Sequence, residues 1–194
     1  MSNERVQAPE LDVVQWFNTP EPLQLARLRG RVVFLHAFQM LCPGCVAHGL
    51  PQAQAVHDLF SARGVSVIGL HTVFEHHQVM QAPALAAFLH EYRFSFPVGV
   101  DRPSTGDGVP MTMRAYRLRG TPSLVVIDRS GYVRQSAFGR VEDLALGALL
   151  GALLAEEGGT SAATAPGEVG EAGGVGAGTC DDESCRHPGA WLPE

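Results

Sequence analysis

The chain has no lysine, no long hydrophobic run and few cysteines for its length. All 14 of its basic residues are arginine, which we read as genomic base composition and not as function. No apolar stretch approaches the roughly 20 residues needed to span a bilayer, so no membrane partner is expected. The opening residues, Met1-Ser2-Asn3-Glu4-Arg5-Val6-Gln7, lack the basic and apolar regions of a secretory signal, which leads to the expectation of a cytoplasmic protein. Four cysteines in 194 residues are too few for a disulfide-stapled scaffold. Basic surface is scarce as well. The net charge is −6, and residues 156–194 hold eight of the 20 acidic residues against one arginine. The rest of the chain is therefore nearly neutral, and nucleic acid is not an expected partner.

What is present is concentrated around two of the cysteines. An apolar, β-prone run, Val32-Val33-Phe34-Leu35-His36-Ala37-Phe38, leads into Cys42-Pro43-Gly44-Cys45, and a helix-compatible segment follows. The first N–H groups of a helix have no intrahelical partners, and the macrodipole places partial positive charge there. That setting stabilises a thiolate at Cys42 and makes it a nucleophile. Cys45 sits about one helical turn further on, where it can attack a mixed disulfide formed at Cys42. The bland alternatives are a buried structural pair or half of a zinc site. The other two cysteines, Cys180 and Cys185, lie near the C-terminus.

The pattern along the chain predicts a first strand from Ala8 to Trp16, then the central strand 32–38. A helix is expected from Pro43 to about Ala62, kinked or interrupted at Pro51. A second buried strand follows at Val65–Leu70, then a loop, Thr72–Gln81, whose Glu75-His76-His77 reads as a solvated segment. A helix from Pro83 to Tyr92, a short strand at Phe96–Val100 and a short helix at Met111–Leu118 come next. Ser123–Ile127 and Tyr132–Phe138, joined by Asp128-Arg129-Ser130-Gly131, read as a hairpin. The last helix runs from about Val141 to Ala155. This order predicts an α/β fold with a mixed central sheet and helices on both faces. Domain boundaries are expected as a flexible N-terminus at 1–7, one domain at 8–155, a Gly/Ala-rich disordered linker at 156–179 and a Cys-containing tail at 180–194.

Three elements in fixed order resemble the thioredoxin fold and, within it, the TlpA-like or redoxin branch. They are the strand leading into Cys42-Pro43-Gly44-Cys45, the segment Arg119-Gly120-Thr121-Pro122-Ser123-Leu124-Val125-Val126-Ile127-Asp128, and Arg129-Ser130-Gly131-Tyr132-Val133. Ala8-Pro9-Glu10-Leu11 and Leu25–Val33 resemble that branch's N-terminal hairpin. The resemblance covers about residues 8–155. It implies a thiol–disulfide oxidoreductase with Cys42 attacking and Cys45 resolving, no cofactor, and a cis peptide at Thr121-Pro122 beside the dithiol. It also implies a docking surface for a disulfide-containing protein or small molecule, made by Leu41, Pro43, Gly44, Thr121 and Pro122, with electrons from a thiol or thioredoxin-type donor. Leu41 departs from the tryptophan usual there, and Pro43-Gly44 reverses thioredoxin's Gly-Pro order. His36 stands where thioredoxin has a buried aspartate. It is either a hydrogen-bonded core histidine or a proton relay for Cys45. Peroxiredoxins share the fold, but Phe38-Gln39-Met40-Leu41 does not supply their peroxide-binding Pro-x-x-x-Thr/Ser-x-x-Cys loop.

Cys180 and Cys185 are read three ways: a tethered second redox pair, metal ligands together with His187, or incidental thiols. A linker of this length spans roughly 25–30 Å, enough to cross a small domain, and tethering gives an effective concentration on the order of mM. The competing class for the whole chain is a thiol metallochaperone or metal-binding module.

Overall fold

Seven consecutive buried residues, Val32–Phe38, form strand β2 in the interior of a six-stranded sheet. The coordinates are a computed structural model describing residues 6–106 and 108–156. In chain order the strands are β1 (Val13–Phe17), β2, β3 (Val65–His71), β4 (Val98–Asp101), β5 (Ser123–Ile127) and β6 (Val133–Phe138). The helices are α1 (Leu50–Phe60), α2 (Ala82–Glu91), α3 (Met111–Ala115) and α4 (Asp143–Ala155). The spatial order is β1-β4-β3-β2-β5-β6. β2, β3 and β4 run parallel, while β1, β5 and β6 pair antiparallel with their neighbours.

Side chains alternate between faces along a strand, so β2 feeds two cores. Val32, Phe34 and Phe38 pack with Leu50, Ala53 and Val56 of α1, Leu85 and Leu89 of α2, and Leu146, Leu150 and Leu153 of α4. Val33, Leu35 and Ala37 pack with Ile68, Leu70, Val125 and Ile127 on the other face, which Leu25, Tyr116 and Leu118 help cover. The expected mixed sheet with helical cover on both faces is what the chain forms.

Two local expectations need correction. The N-terminal hairpin is not formed. β1 is shorter than expected and pairs antiparallel with β4, and Leu25–Leu28 is a 3-10 turn. Its two halves still meet, through the Glu10 carboxylate, which accepts the Leu25 and Ala26 N–H groups at 2.8 and 2.7 Å. Those are the orphan donors at the start of that turn. Second, residues 6 and 7, expected within a flexible N-terminus, are paired. Val6 O accepts from Val133 N at 2.9 Å and Gln7 bridges Tyr132, so residues 6 and 7 extend the sheet edge at β6. The helix after the dithiol keeps its expected extent, and its expected interruption at Pro51 takes the form of a change of hydrogen-bond register. A π-helical turn, Cys45–Gly49, precedes α1, with Leu50 N bonded to Cys45 O, and α1 continues to Phe60. Pro51 thus falls at the junction of the two hydrogen-bond registers, where its missing N–H interrupts least. Gly64 closes this stretch at φ +105°, a left-handed conformation suited to glycine.

Candidate active site

The carboxyl end of β2 delivers the chain to the dithiol. Gln39 O accepts from Cys42 N at 3.2 Å, and the helix begins at Pro43, making Cys42 its N-cap. Proline suits the first helical position because its missing N–H would be an orphan there. Cys45 N, in the first turn, donates to Cys42 Sγ at 3.3 Å, so the half-buried sulfur takes the part of a capping oxygen. Cys45 is fully buried, and both cysteines are free thiols. Burial pushes the Cys45 thiol up to about 12, reinforced by its hydrogen bond with Cys42; hydrogen bonds from the Gln39 backbone and the Thr121 side chain act in the opposite direction. One sulfur is therefore reachable and held by a donated N–H, and the other is enclosed and protonated.

Across from the dithiol, the Thr121-Pro122 peptide is cis. A β-carbon added at Gly44 would lie 3.4 Å from the Pro122 ring, and one added at Gly49 would also be 3.4 Å from it. The proline therefore packs along the start of the helix. Leu41 is 58 % exposed beside Cys42. Of the expected docking residues, Gly44 and Pro122 are thus brought together, with Leu41 and Pro43 flanking Cys42 in the chain and Thr121 preceding the cis bond.

His36 is a core histidine, as one expectation had it, but it is not hydrogen-bonded. It is buried on the α1-facing side of β2, between Phe34 and Phe38, and neither ring nitrogen has a hydrogen-bond partner. Its ring faces the π turn at Gly49, where an added β-carbon would fall 2.5 Å from Nε2. Burial lowers its pKa to about 4. A pocket of about 290 Å³, lined by His36, Gly49, Pro122 and Arg140 among others, opens on this side.

Sequence reasoning missed Gln39 as a site residue. It is 1 % exposed, accepts from Phe74 N at 3.3 Å through Oε1, and donates through Nε2 to Glu75 Oε1 at 3.3 Å and Thr121 Oγ1 at 3.5 Å. The available signal was a lone amide between an unbroken buried strand and the first cysteine. Glu75, His76 and His77 are exposed, as expected of a loop, with Glu75 tied to the site through Gln39. Among the described residues no group of three or more His, Cys, Asp or Glu is placed to hold a metal ion. Cys180 and Cys185 lie outside the described residues.

The redoxin family profile matches residues 4–145. The chain belongs to the redoxin family. A crystal structure of a thioredoxin-like superfamily protein superposes with a TM-score of 0.77 at 55% identity, covering 79% of this chain and 99% of that one. A thiol-disulfide isomerase from Corynebacterium glutamicum gives 0.73 at 53% identity, covering 77% and 98%. Protein DipZ of Mycobacterium bovis is 30% identical over 135 residues, which is 68% of this chain and 18% of DipZ. The chain thus spans under a fifth of that relative. The matched span includes the paired cysteines at the head of the helix, and its fold is thioredoxin-like.

Proposed function

We propose that the protein is a disulfide reductase working in two exchanges at Cys42 and Cys45. The observation that carries this reading is the contrast between the two sulfurs, one half-exposed at the helix N-cap and the other buried and protonated one turn below. The Cys42 thiolate attacks a substrate disulfide, forming a mixed disulfide and expelling the first substrate thiolate. Cys45 then loses its proton and attacks Cys42 Sγ, releasing the second thiolate and leaving the Cys42–Cys45 disulfide. A thiol or thioredoxin-type donor returns two electrons. The reductase direction follows from the proposed cytoplasmic setting, where a dithiol is the resting form. The exposed Leu41 and the cis Thr121-Pro122 edge support docking of a disulfide-bearing protein or small molecule.

The test is a Cys45→Ser variant mixed with a disulfide substrate. It should accumulate a covalent Cys42 adduct by mass spectrometry, whereas Cys42→Ser should form none. Adduct formation at neither residue would overturn the reading. The same variant, oxidised without substrate, tests exchange with the tail: a Cys42 disulfide to Cys180 or Cys185 supports a tethered second pair, and its absence removes that role. For His36, a relay role requires a bridging water, since the ring makes no hydrogen bond to Cys45. His36→Ala should then slow product release more than attack, and equal effects on both would end the idea.

A further inference from the structure

The loop after β3 is tied to the cis-proline edge by a single buried amide, that of Gln39. Phe74 N–H can only donate, so it takes Gln39 Oε1 at 3.3 Å. The Glu75 carboxylate can only accept, so it takes Nε2, also at 3.3 Å. The same Nε2 lies 3.5 Å from the Thr121 hydroxyl, directly before the cis bond. One amide nitrogen therefore stands between a carboxylate and the edge where a substrate is proposed to dock. Glu75 is exposed, and among the described residues its second oxygen, Oε2, meets no donor and its side chain makes no ion pair. Apart from the dithiol, the residues from Leu41 to Ala47 carry no ionisable side chain, and neither do Thr121 and Pro122. The Arg119 guanidinium, two residues before Thr121, lies over the Phe138 ring, 5.8 Å from its centroid. His76 and His77, next in the loop, are exposed and pair with neither oxygen of Glu75. Both ends of one planar group thus grip the loop, by its backbone and by its side chain, and fix where the carboxylate sits.

We propose that Glu75 is a specificity-determining residue for the exchange, its fixed carboxylate selecting polypeptide disulfides with a lysine or arginine next to the cysteine that Cys42 attacks. This rests on the attack by Cys42 and the docking edge proposed above. A substrate sulfur held beside Thr121 brings its neighbouring side chain within reach of Oε2. An ammonium or guanidinium there makes a charge-assisted hydrogen bond, while a carboxylate meets like charge and gains none. A carboxylate already held in place also loses less side-chain freedom on binding. Leu41, exposed next to Cys42, adds an apolar contact, so a peptide finds one anionic and one apolar anchor. The chemistry itself is unaltered. Cys42 Sγ bonds to one substrate sulfur, the substrate S–S bond breaks, and the other sulfur leaves as a thiolate. The charge acts before that step, on which disulfides reach the sulfur correctly placed.

The test uses the full chain carrying Cys45→Ser, in which the Cys42 adduct persists, and the disulfide dimers of three blocked dipeptides, Lys-Cys, Gln-Cys and Glu-Cys. Cleavage after arginine leaves Cys42 as the single cysteine of the fragment 32–63 in this background. Mass spectrometry of acid-quenched samples then gives the rate of adduct formation at that sulfur alone. At low salt the Lys-Cys dimer should react fastest and the Glu-Cys dimer slowest. Glu75→Gln keeps an acceptor for Gln39 Nε2 and removes only the charge, so it separates recognition from loop anchoring. In that variant the ratio of the Lys-Cys to the Glu-Cys rate should fall about tenfold, the size of one charge acting on two opposite ones across water-exposed space. Glu75→Asp, which keeps the charge, should hold most of the ratio. Salt at about 0.5 M should bring the ratio of the parent close to that of Glu75→Gln, because exposed charges are then screened. A ratio unchanged in Glu75→Gln overturns the proposal. An equal change with all three dimers also overturns it, since the effect would then lie on the Cys42 thiolate and not on substrate choice. Failure of the underlying reading is recognised separately, by the absence of a Cys42 adduct with any of the three.

Discussion

At the scale of single residues, the closest fit in the site is between His36 and Gly49. The π turn passes the imidazole at a distance that leaves no room for a β-carbon, which would sit 2.5 Å from Nε2. Gly49→Ala should therefore cost about 1–3 kcal/mol, as overpacking of a filled interior does, measured by urea unfolding. Most of that penalty should vanish when His36 is also replaced by alanine, and a double-mutant cycle showing no coupling would contradict the contact.

At the scale of elements, the short helix α3 is held by a carboxylate, not by its own length. Asp101, at the end of β4 and 2 % exposed, accepts from Thr112 N at 2.8 Å, Met113 N at 3.0 Å and Thr72 Oγ1 at 2.9 Å. Burial raises its pKa, while these donated hydrogen bonds pull the other way. The carboxylate joins the end of β3, the end of β4 and the start of α3. Asp101→Ala strands several buried donors and should cost about 3 kcal/mol. Asp101→Asn, which keeps one acceptor oxygen, should cost less. Equal urea midpoints for the two variants would show that the donors find other partners. The π turn before α1 is the second element-level device. It begins at Cys45 and places the change of hydrogen-bond register at Pro51, after the regular residues Pro43 and Gly44.

At the scale of the whole molecule, two histidines set the response to acid. His36 and His71 are both buried on the same face of adjacent strands, on either side of Phe38, and no ring nitrogen of either has a hydrogen-bond partner. Burial lowers each pKa from 6.5 to about 4. In the unfolded chain these rings take up protons near 6.5, while in the fold they stay neutral to about pH 4. The unfolded state thus binds more protons between those values, and stability falls as pH drops through that window and levels off below it. The loss should be about 3 kcal/mol per histidine, because a tenfold change in proton affinity is worth about 1.4 kcal/mol. Replacing His71 with phenylalanine should remove its share of the slope, measured as urea midpoints from pH 7 to 4. An unaltered slope would mean that other groups carry the acid sensitivity.

Much of this protein is legible in its sequence because the signals are local. An apolar run interrupted only by His36 made β2 a buried strand, a cysteine before proline placed the dithiol at a helix start, and the hairpin at residues 123–138 was marked by its turn. The N-terminal segments were misread because their partners are remote: β1 joins β4, and Glu10 caps a turn fifteen residues on. The same reason hid Gln39, whose amide meets Thr121 across 82 positions of chain. By itself the sequence determined that two thiols sit one turn apart at the head of a helix, since helical geometry and N-terminal polarity need only neighbouring residues. Tertiary structure alone decided which thiol is enclosed, what the histidine beneath them faces and which loop Gln39 ties to the site. Those depend on side chains that packing, not proximity along the chain, brings within hydrogen-bond reach.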